Sequence, residues 1–180
     1  MRNKKVILLD RDGVINVNSS SYVKSLEELF IIQDSVRAIS LLTNEGYSIY
    51  VVSNQSAIGR GLTTLENIEE IHREIDKEVL RRNGRIAGYY FCPHTPTDSC
   101  ECRKPKTAML RKIEKDNDIN LKGSFFVGDA ITDVELANNY GLKSILVRTG
   151  HGRETEKHMK KNQLVFENLL DAVQKFILIR

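Results

Sequence analysis

Two aspartates with one residue between them, Asp10 and Asp12, come directly after an apolar run at positions 6–9. Side chains at positions i and i+2 of an extended chain lie on the same side, so both carboxylates can face one point while Arg11 faces away. Two carboxylates that share a point suit a hard cation and a phosphate group. The alternative is a plain turn, because an Asp followed by Gly13 is a common turn signal.

Polar residues also follow two later apolar runs. Ser53, Asn54 and Gln55 end one of these runs, and Asp129 follows the other. Parallel sheets bind their ligands beyond the carboxyl ends of the strands. If the runs are strands of one parallel sheet, these side chains therefore meet Asp10 in a single crevice.

The periodicity of the sequence predicts the elements that must position these groups. We expect strands at 6–9, 47–53, 89–92, 124–127 and 144–147, and helices at 35–45, 64–82, 107–117 and 133–140. Thr63 and Glu66 have the spacing of a capping box at the start of the second helix. The alternation indicates an α/β fold, a Rossmann-like three-layer sandwich with a mainly parallel central sheet. We expect one domain over residues 1–180, a polar connection at 154–162 and a last helix that ends near Ile179.

The crevice residues have the chemistry of phosphoryl transfer to an aspartate. Asp10 can attack phosphorus and form an aspartyl-phosphate, while Asp12 can protonate the departing alkoxide and later take a proton from the attacking water. Mg²⁺ prefers oxygen ligands in near-octahedral geometry, which Asp10, Asp129 and the backbone carbonyl of Asp12 can supply. The Ser53 hydroxyl and the Lys104 ammonium can balance charge on the phosphate oxygens. The sequence therefore predicts a hydrolase with a catalytic Mg²⁺.

These residues resemble the four motifs of the haloacid dehalogenase superfamily of phosphatases. The stretch 10–13 is similar to the first motif, 53–55 to the second, Lys104 to the third, and Asp129 with Asp133 to the fourth. Four motifs in the right order are far more specific than any one of them. The resemblance implies a phosphatase domain without a cap. An aspartate in the first turn of a helix, such as Asp133, is more often a neighbour of a metal than its direct ligand, so we expect Asp133 beside the Mg²⁺.

Within that superfamily, residues from about 6 to 150 resemble the heptose-bisphosphate phosphatases. The resemblance implies removal of the 7-phosphate of a heptose 1,7-bisphosphate during synthesis of nucleotide-activated heptose for surface polysaccharide. The chain departs from that family at Ala130, where a lysine is usual, at 107–108, where Pro-Gly is usual, and in the serines at 19–21. These departures bear on the sugar and its anomer. The substrate-binding residues that the resemblance implies are Arg11, Tyr22, Asn54, Gln55, Ser56, Arg60 and Arg103.

The three cysteines of the chain lie close together with a histidine. Cys92 and His94 are separated by one residue, as are Cys100 and Cys102. Three thiolates and one imidazole complete a tetrahedral zinc site with no open position, which is typical of structural rather than catalytic zinc. Because the last ligand comes just before Lys104, we expect Zn²⁺ to fix the loop that presents this lysine and the arginine before it.

The composition restricts the class of protein. The 180 residues are 41% hydrophobic and 28% charged, the net charge is +3, and basic residues are scattered among acidic ones. This pattern suits a globular enzyme with a small anionic substrate and argues against nucleic-acid binding. No apolar stretch reaches the length of a membrane span, and Asp10 interrupts the run behind the basic start, so we expect neither membrane association nor a secretory signal. Grouped cysteines favour metal binding in a reducing compartment, so we expect a cytoplasmic protein, and we expect a monomer.

Other functions fit part of the pattern. Histidinol-phosphate phosphatases share the aspartate motifs and the zinc loop, although the stretch 53–61 looks more like the heptose enzymes. A non-hydrolytic receiver module also has a phosphorylatable aspartate, but it needs no acid/base group at the position of Asp12. A binding module centred on zinc leaves the carboxylates unexplained. The sequence shows no partners for three histidines, which we expect on the surface or on helix faces: His72, His151 and His158.

Overall fold

The computed structural model describes residues 5–179, which contain one six-stranded sheet. The strands are β1 (Lys5–Leu9), β2 (Tyr47–Asn54), β3 (Gly88–Cys92), β4 (Phe125–Gly128), β5 (Lys143–Val147) and β6 (Leu164–Phe166). All neighbouring strands are parallel, in the order β3-β2-β1-β4-β5-β6. Because β1 lies between β2 and β4, the loop after β1 opens at the middle of the sheet.

Helices connect the strands and cover the sheet. They are α1 (Gln33–Asn44), α2 (Ser56–Gly59), α3 (Leu65–Leu80), α4 (Ala108–Asn117), α5 (Ile131–Tyr140), α6 (Gly152–Glu156) and α7 (Leu169–Ala172). A short 3₁₀ turn spans Leu26–Glu28, and α7 continues into a π-helical segment, Val173–Ile177. Within residues 5–179, none of these helices combines the length and the apolarity that crossing a membrane requires.

Each face of the sheet has its own apolar core, and the alternation of side chains along β1 separates the two. Ile7 and Leu9 pack into the core beneath α1, α3 and α7, while Val6 and Leu8 pack into the core beneath α4 and α5. All four of these side chains are buried. A strand buried on both faces reads as a continuous apolar run, which explains the sequence before Asp10.

The structure confirms the predicted fold and corrects it in three places. The sixth strand, β6, was not predicted, and the expected polar connection at 154–162 contains part of α6. The cap of α3 is Thr64, whose side chain accepts a hydrogen bond from Asn67 N, rather than Thr63. The Thr63 hydroxyl instead donates to the carbonyl of Lys24. Most of the basic start of the chain lies outside the described residues.

Candidate active site

A cavity of about 450 Å³ opens at the carboxyl ends of β1, β2 and β4. This is the edge of the sheet where the sequence predicted a crevice, because the polar residues follow those three strands. The wall also includes Ala130, which follows β4, and His151, which follows β5. The predicted site residues on the wall are Asp10, Asp12, Tyr22, Asn54, Gln55, Ser56, Arg60, Arg103 and Asp129.

Three carboxylates and one ammonium group form the metal-side cluster, which we define as Asp10, Asp129, Asp133 and Lys104. The three carboxylates each offer an oxygen within 4.8 Å of the others, and all three residues are buried. Lys104 Nζ lies 2.9 Å from Asp10 Oδ1 and 2.6 Å from Asp133 Oδ1. It also donates to the carbonyl oxygen of Val52 at 3.0 Å, so the ammonium is fixed from three directions.

The metal-side cluster holds more negative than positive charge. Burial raises the pKa of Asp10 well above its usual range; Lys104 lowers it, and Asp133 and Asp129 raise it further. Burial and Asp133 also raise the pKa of Asp129 to about 6, against the hydrogen bond from His151 N. Both shifts have the direction expected where carboxylates repel each other in a site of low dielectric constant. A bound divalent cation would remove that repulsion, so the donor set fits Mg²⁺.

Asp12 lies two residues from Asp10 but has a different environment. Its carboxylate accepts hydrogen bonds from Arg11 Nη2 at 2.9 Å, Asn16 Nδ2 at 2.9 Å and Gln55 Nε2 at 2.8 Å. Burial alone would raise the pKa of Asp12, but the Arg11 charge and these hydrogen bonds outweigh burial and lower it. We call this group, Asp12 with Arg11, Asn16 and Gln55, the acid/base cluster. Its carboxylate is both ionised and oriented in the free protein.

Two glycines, one in the loop after β1 and one in the loop after β5, leave space for the Asp129 side chain. A Cβ on Gly13 or on Gly150 would collide with the Oδ2 atom of Asp129. Both glycines also have positive φ values, +84° and +56°, which residues with a side chain rarely adopt. The same Oδ2 atom accepts a hydrogen bond from His151 N at 2.7 Å, so the loop after β5 completes the setting of Asp129.

Asn54 connects the end of β2 with the loop that carries Lys104. Its side-chain amide donates to the carbonyl of Lys104 at 3.2 Å, and its Oδ1 accepts from the backbone N of Lys104 at 2.9 Å. This reciprocal pair holds the lysine backbone against the second predicted motif. Asn54 therefore has a positioning contact in addition to its place on the cavity wall.

Arg11 and Ser53, like Lys104, are buried and do not line the cavity wall. Arg11 was expected to bind substrate, but its side chain is fully buried and forms an ion pair with Asp12 at 2.9 Å, which corrects that expectation. Ser53 is also buried, and its hydroxyl accepts a hydrogen bond from Gln55 Nε2 at 3.2 Å. In this structure both residues support the acid/base cluster from below.

Asp133 takes part in two interactions at the start of α5. One carboxylate oxygen pairs with Lys104, and the other accepts from the backbone N of Ala130 at 3.0 Å. These contacts leave Asp133 close to the metal-side carboxylates but already engaged. They favour the predicted role beside the metal rather than as a direct ligand.

The four predicted zinc ligands come together in a loop after β3. Cys92, His94, Cys100 and Cys102 offer ligand atoms that all lie within 4.8 Å of one another. The sulfur atoms of Cys92 and Cys102 are 3.1 Å apart, and all three cysteines are free thiols. Arg103 Nη1 donates to the carbonyl of His94 at 3.2 Å, so the loop also holds a residue of the cavity wall.

The structure adds three residues that the sequence analysis did not place in the site. Asn16 donates a hydrogen bond to Asp12 from a position just after the first-motif stretch 10–13. His151 lies on the cavity wall, and no local pattern marked it. His72 is buried on α3, within electrostatic reach of Arg11 and Asp12. The sequence showed no partner for His72 because these neighbours are distant along the chain.

Comparisons with known proteins agree with this geometry. The family described as HAD-hydrolase-like matches residues 101–172. The chain is 41% identical over 174 residues to D-glycero-beta-D-manno-heptose-1,7-bisphosphate 7-phosphatase of Pseudomonas putida, which covers 96% of this chain and 99% of that protein. It is 38% identical over 151 residues to the enzyme of the same name from Bordetella bronchiseptica, with 84% of each chain covered.

Solved structures show the same relationship. The fold matches a crystal structure of D,D-heptose 1,7-bisphosphate phosphatase from B. bronchiseptica, complexed with magnesium and phosphate, with a TM-score of 0.93 and 34% identity. That match covers 98% of this chain and 99% of the other. The Burkholderia thailandensis enzyme matches with a TM-score of 0.74 and 28% identity over 97% of this chain and 99% of the other. The chain is thus a phosphoric monoester hydrolase that belongs to the haloacid dehalogenase superfamily, in the family of the heptose-bisphosphate phosphatases.

Proposed function

We propose that this enzyme hydrolyses the 7-phosphate of D-glycero-D-manno-heptose 1,7-bisphosphate, with Mg²⁺, in the synthesis of nucleotide-activated heptose for surface glycan. The observation that carries the proposal is the contrast between Asp10 and Asp12. Asp10 lies among carboxylates with too little positive charge to balance them, whereas the carboxylate of Asp12 is fully hydrogen-bonded by its neighbours. The names of several relatives specify the beta anomer, and we propose that anomer for this chain. Small molecules of this class need no nucleic acid or membrane partner, and we propose a monomer.

In the first step, Asp10 is the nucleophile. Lys104 Nζ and Arg11 N both contact Oδ1, so neither of them obstructs Oδ2, the oxygen that attacks phosphorus. The bond between phosphorus and the oxygen of the sugar breaks, and an aspartyl-phosphate forms on Asp10. Asp12 gives a proton to the departing sugar oxygen. Asp12 is ionised in the free enzyme. The negatively charged phosphate raises the pKa of Asp12 as it binds, and Asp12 then takes up the required proton from the solvent.

In the second step, Asp12 is the base. It takes a proton from a water molecule, the water oxygen attacks phosphorus, and the bond to Asp10 breaks to release inorganic phosphate. The hydrogen bonds from Asn16 and Gln55 keep the carboxylate aimed through both steps. Lys104 stays fixed beside the nucleophile and balances negative charge on the phosphoryl oxygens.

We propose Mg²⁺ and Zn²⁺ as the two metal ions. Asp10, Asp129 and the backbone carbonyl of Asp12 would hold Mg²⁺, which when bound neutralises the carboxylates and polarises the phosphate. The cysteine cluster would hold Zn²⁺ with no open position, in a structural role. Thiolate ligands must stay reduced, which fits the cytoplasm, and we propose that location.

Two arginines on the cavity wall favour a bisphosphate over histidinol phosphate. Arg60 and Arg103 lie on the wall, and Lys104 is buried beside Asp10. A second phosphate group would find cationic partners there, whereas the ammonium group of histidinol phosphate would be repelled. A receiver module is disfavoured because it needs no oriented carboxylate at Asp12.

The test is Mg²⁺-dependent phosphate release from three substrates side by side: the alpha and beta anomers of heptose 1,7-bisphosphate, and histidinol phosphate. We expect strong preference for the beta anomer of the bisphosphate. Preference for the alpha anomer would correct the stereochemistry alone. Preference for histidinol phosphate would overturn the proposed substrate while leaving the phosphoryl chemistry in place.

A further inference from the structure

One buried imidazole lies beneath the active-site loop and has no part in the chemistry above. His72 is on the inward face of α3, with 6% of its surface exposed. Tyr89 stacks on its ring with the centroids 4.1 Å apart, and Phe91 packs against it edge-on. The Tyr89 hydroxyl donates to Asp76 Oδ1 at 2.8 Å, one turn further along α3. The imidazole ring is therefore held in one orientation by α3 and β3.

Two buried polar atoms in this region lack a partner. Arg11 Nη1 and His72 Nε2 are both inaccessible to solvent, and neither has a hydrogen-bond partner within residues 5–179. Burial and the Arg11 charge lower the pKa of His72 to about 3, so the ring is neutral and close enough to the guanidinium to interact with it. A guanidinium group only donates, and a neutral imidazole has one nitrogen that only accepts. Buried polar groups are rarely left unpaired, and these two are complementary.

We propose that His72 is a positioning residue for the acid/base step: its Nε2 accepts a hydrogen bond from one buried water molecule, which in turn accepts a hydrogen bond from Arg11 Nη1. This contact fixes the guanidinium plane from the side opposite Asp12. Arg11 Nη2 and Nε both contact Asp12 Oδ1, at 2.9 and 3.3 Å, and the guanidinium is planar and rigid. Holding Nη1 therefore holds the direction in which Asp12 points. The inference rests on the proposed acid/base role of Asp12.

The test compares leaving groups in His72→Leu. An alkyl phosphate needs Asp12 to protonate its departing oxygen, whereas p-nitrophenolate leaves without a proton. We expect kcat/KM for the preferred alkyl phosphate of the panel above to fall by roughly ten- to a hundredfold, because misaligned catalytic groups lose rate by such factors. We expect a much smaller loss for p-nitrophenyl phosphate. His72→Gln, which keeps an acceptor near the position of Nε2, should restore most of the difference.

Two controls separate misalignment of Asp12 from general damage. Ile75→Val also alters the inward face of α3, where Ile75 is fully buried, and should lower both activities equally, if at all. Asp12→Asn should show the same dependence on leaving group as His72→Leu. If Asp12→Asn lacks that dependence, the proposed acid role of Asp12 fails. If Asp12→Asn has it and His72→Leu loses both activities equally, the role of His72 is overturned while the proposed function stands.

A measurement on the wild-type enzyme tests the proposed contact without relying on the activity of a variant. Nitrogen-15 NMR of the histidines, with the His72 signals assigned by their loss in His72→Gln, reports which ring nitrogen carries the proton. We expect a neutral ring with the proton on Nδ1, which leaves Nε2 as the acceptor. A proton on Nε2 would overturn the proposed contact.

Discussion

The metal-side cluster and the acid/base cluster are built around aspartates two residues apart, yet the protein treats the two carboxylates in opposite ways. Asp10 lies among other carboxylates, and its pKa is raised in spite of Lys104. Asp12 is half-buried, and Arg11 and two side-chain amides lower its pKa. The same residue type in one loop therefore has two electrostatic environments, which suits two different tasks.

The two clusters differ in whether they need a bound ion to balance the charge of their carboxylates. The acid/base cluster satisfies its carboxylate with the protein's own donors and needs no ion. The metal-side cluster has three carboxylates for one ammonium group, so it is incomplete until a cation enters. In the proposed mechanism, hydrolysis would therefore require a bound cation beside Asp10 and fixed hydrogen-bond donors around Asp12.

The most severe way to break the metal-side cluster is Asp10→Asn. An amide cannot attack phosphorus, so we expect kcat to fall by about 10⁴-fold or more, which is the scale on which loss of a nucleophile acts. Steady-state phosphate release checks this, with thermal unfolding to verify that the variant is folded. Asn54→Ala is a matched control on the neighbouring strand, which should retain far more activity. Appreciable hydrolysis by Asp10→Asn would refute the covalent route.

Breaking the acid/base cluster with Asp12→Asn should have a smaller effect. The nucleophile and the metal ligands remain, so we expect kcat for the sugar phosphate to fall by about 10²- to 10⁴-fold, the usual contribution of general acid–base catalysis. KM should change little, because Asp12 acts on protons rather than on binding. A full kinetic analysis checks both parameters, and normal turnover would remove Asp12 from the mechanism.

The raised pKa values on the metal side predict how stability depends on pH without metal. Folded Asp129, with its pKa near 6 against an ordinary 3.8, binds a proton more tightly than the unfolded chain does. Metal-free enzyme should therefore lose stability as pH rises from about 4 through about 6, by on the order of 3 kcal/mol. The lowered pKa of Asp12 acts at more acidic pH, where stability is instead lost as pH falls.

Mg²⁺ should weaken this dependence, because it neutralises the same carboxylates. Thermal unfolding between pH 4 and pH 7, with and without Mg²⁺, checks the effect. Asp129→Asn is the control, since it removes the titrating group and should flatten the profile of the metal-free protein. A metal-free profile that rises over this range in the wild type, or a variant with the wild-type slope, would contradict the charge balance described for the metal-side cluster.

Of the four predicted effects, the effect of removing zinc should be the smallest. The cysteine loop lies outside both clusters, but it holds Arg103 through the carbonyl of His94 and precedes Lys104. We expect Cys102→Ser, or chelation of zinc, to lower activity by about tenfold without loss of Mg²⁺ binding. Activity and Mg²⁺ titration on folded, metal-analysed protein check this. Unchanged turnover in zinc-free enzyme would separate the loop from the active site.

The sequence predicted the metal-side cluster more completely than the acid/base cluster, for a physical reason. Asp10 and Asp129 end strands of one parallel sheet, so their meeting follows from the fold. The surroundings of Asp12 depend on side-chain directions instead. The Arg11 side chain turns back beneath the loop and pairs with Asp12. His72 lies on α3, and the periodicity of that helix predicts that one face is buried but not which residues that face contacts.

The elements were predictable where their apolar pattern was long. β1 and β2 read clearly, because strands buried on both faces are continuous apolar runs. β6 has only three residues, Leu164–Phe166, and follows a polar segment, so no period could be assigned to it. The cap of α3 was placed one residue early because Thr63 and Thr64 offer the same hydroxyl, and only the tertiary contact of Thr63 with Lys24 distinguishes them.

The division of labour between the two aspartates can be tested most directly by trapping the covalent intermediate. Asp12→Asn is mixed with Mg²⁺ and p-nitrophenyl phosphate, whose leaving group needs no proton, and is quenched in acid within milliseconds to seconds. We predict a burst of p-nitrophenolate and a phosphoryl group that mass spectrometry locates on Asp10, in greater amount than in the wild type. A burst without phosphorylated protein, or a phosphoryl group on any other residue, would contradict the assignment of the nucleophile to Asp10 and of the base to Asp12.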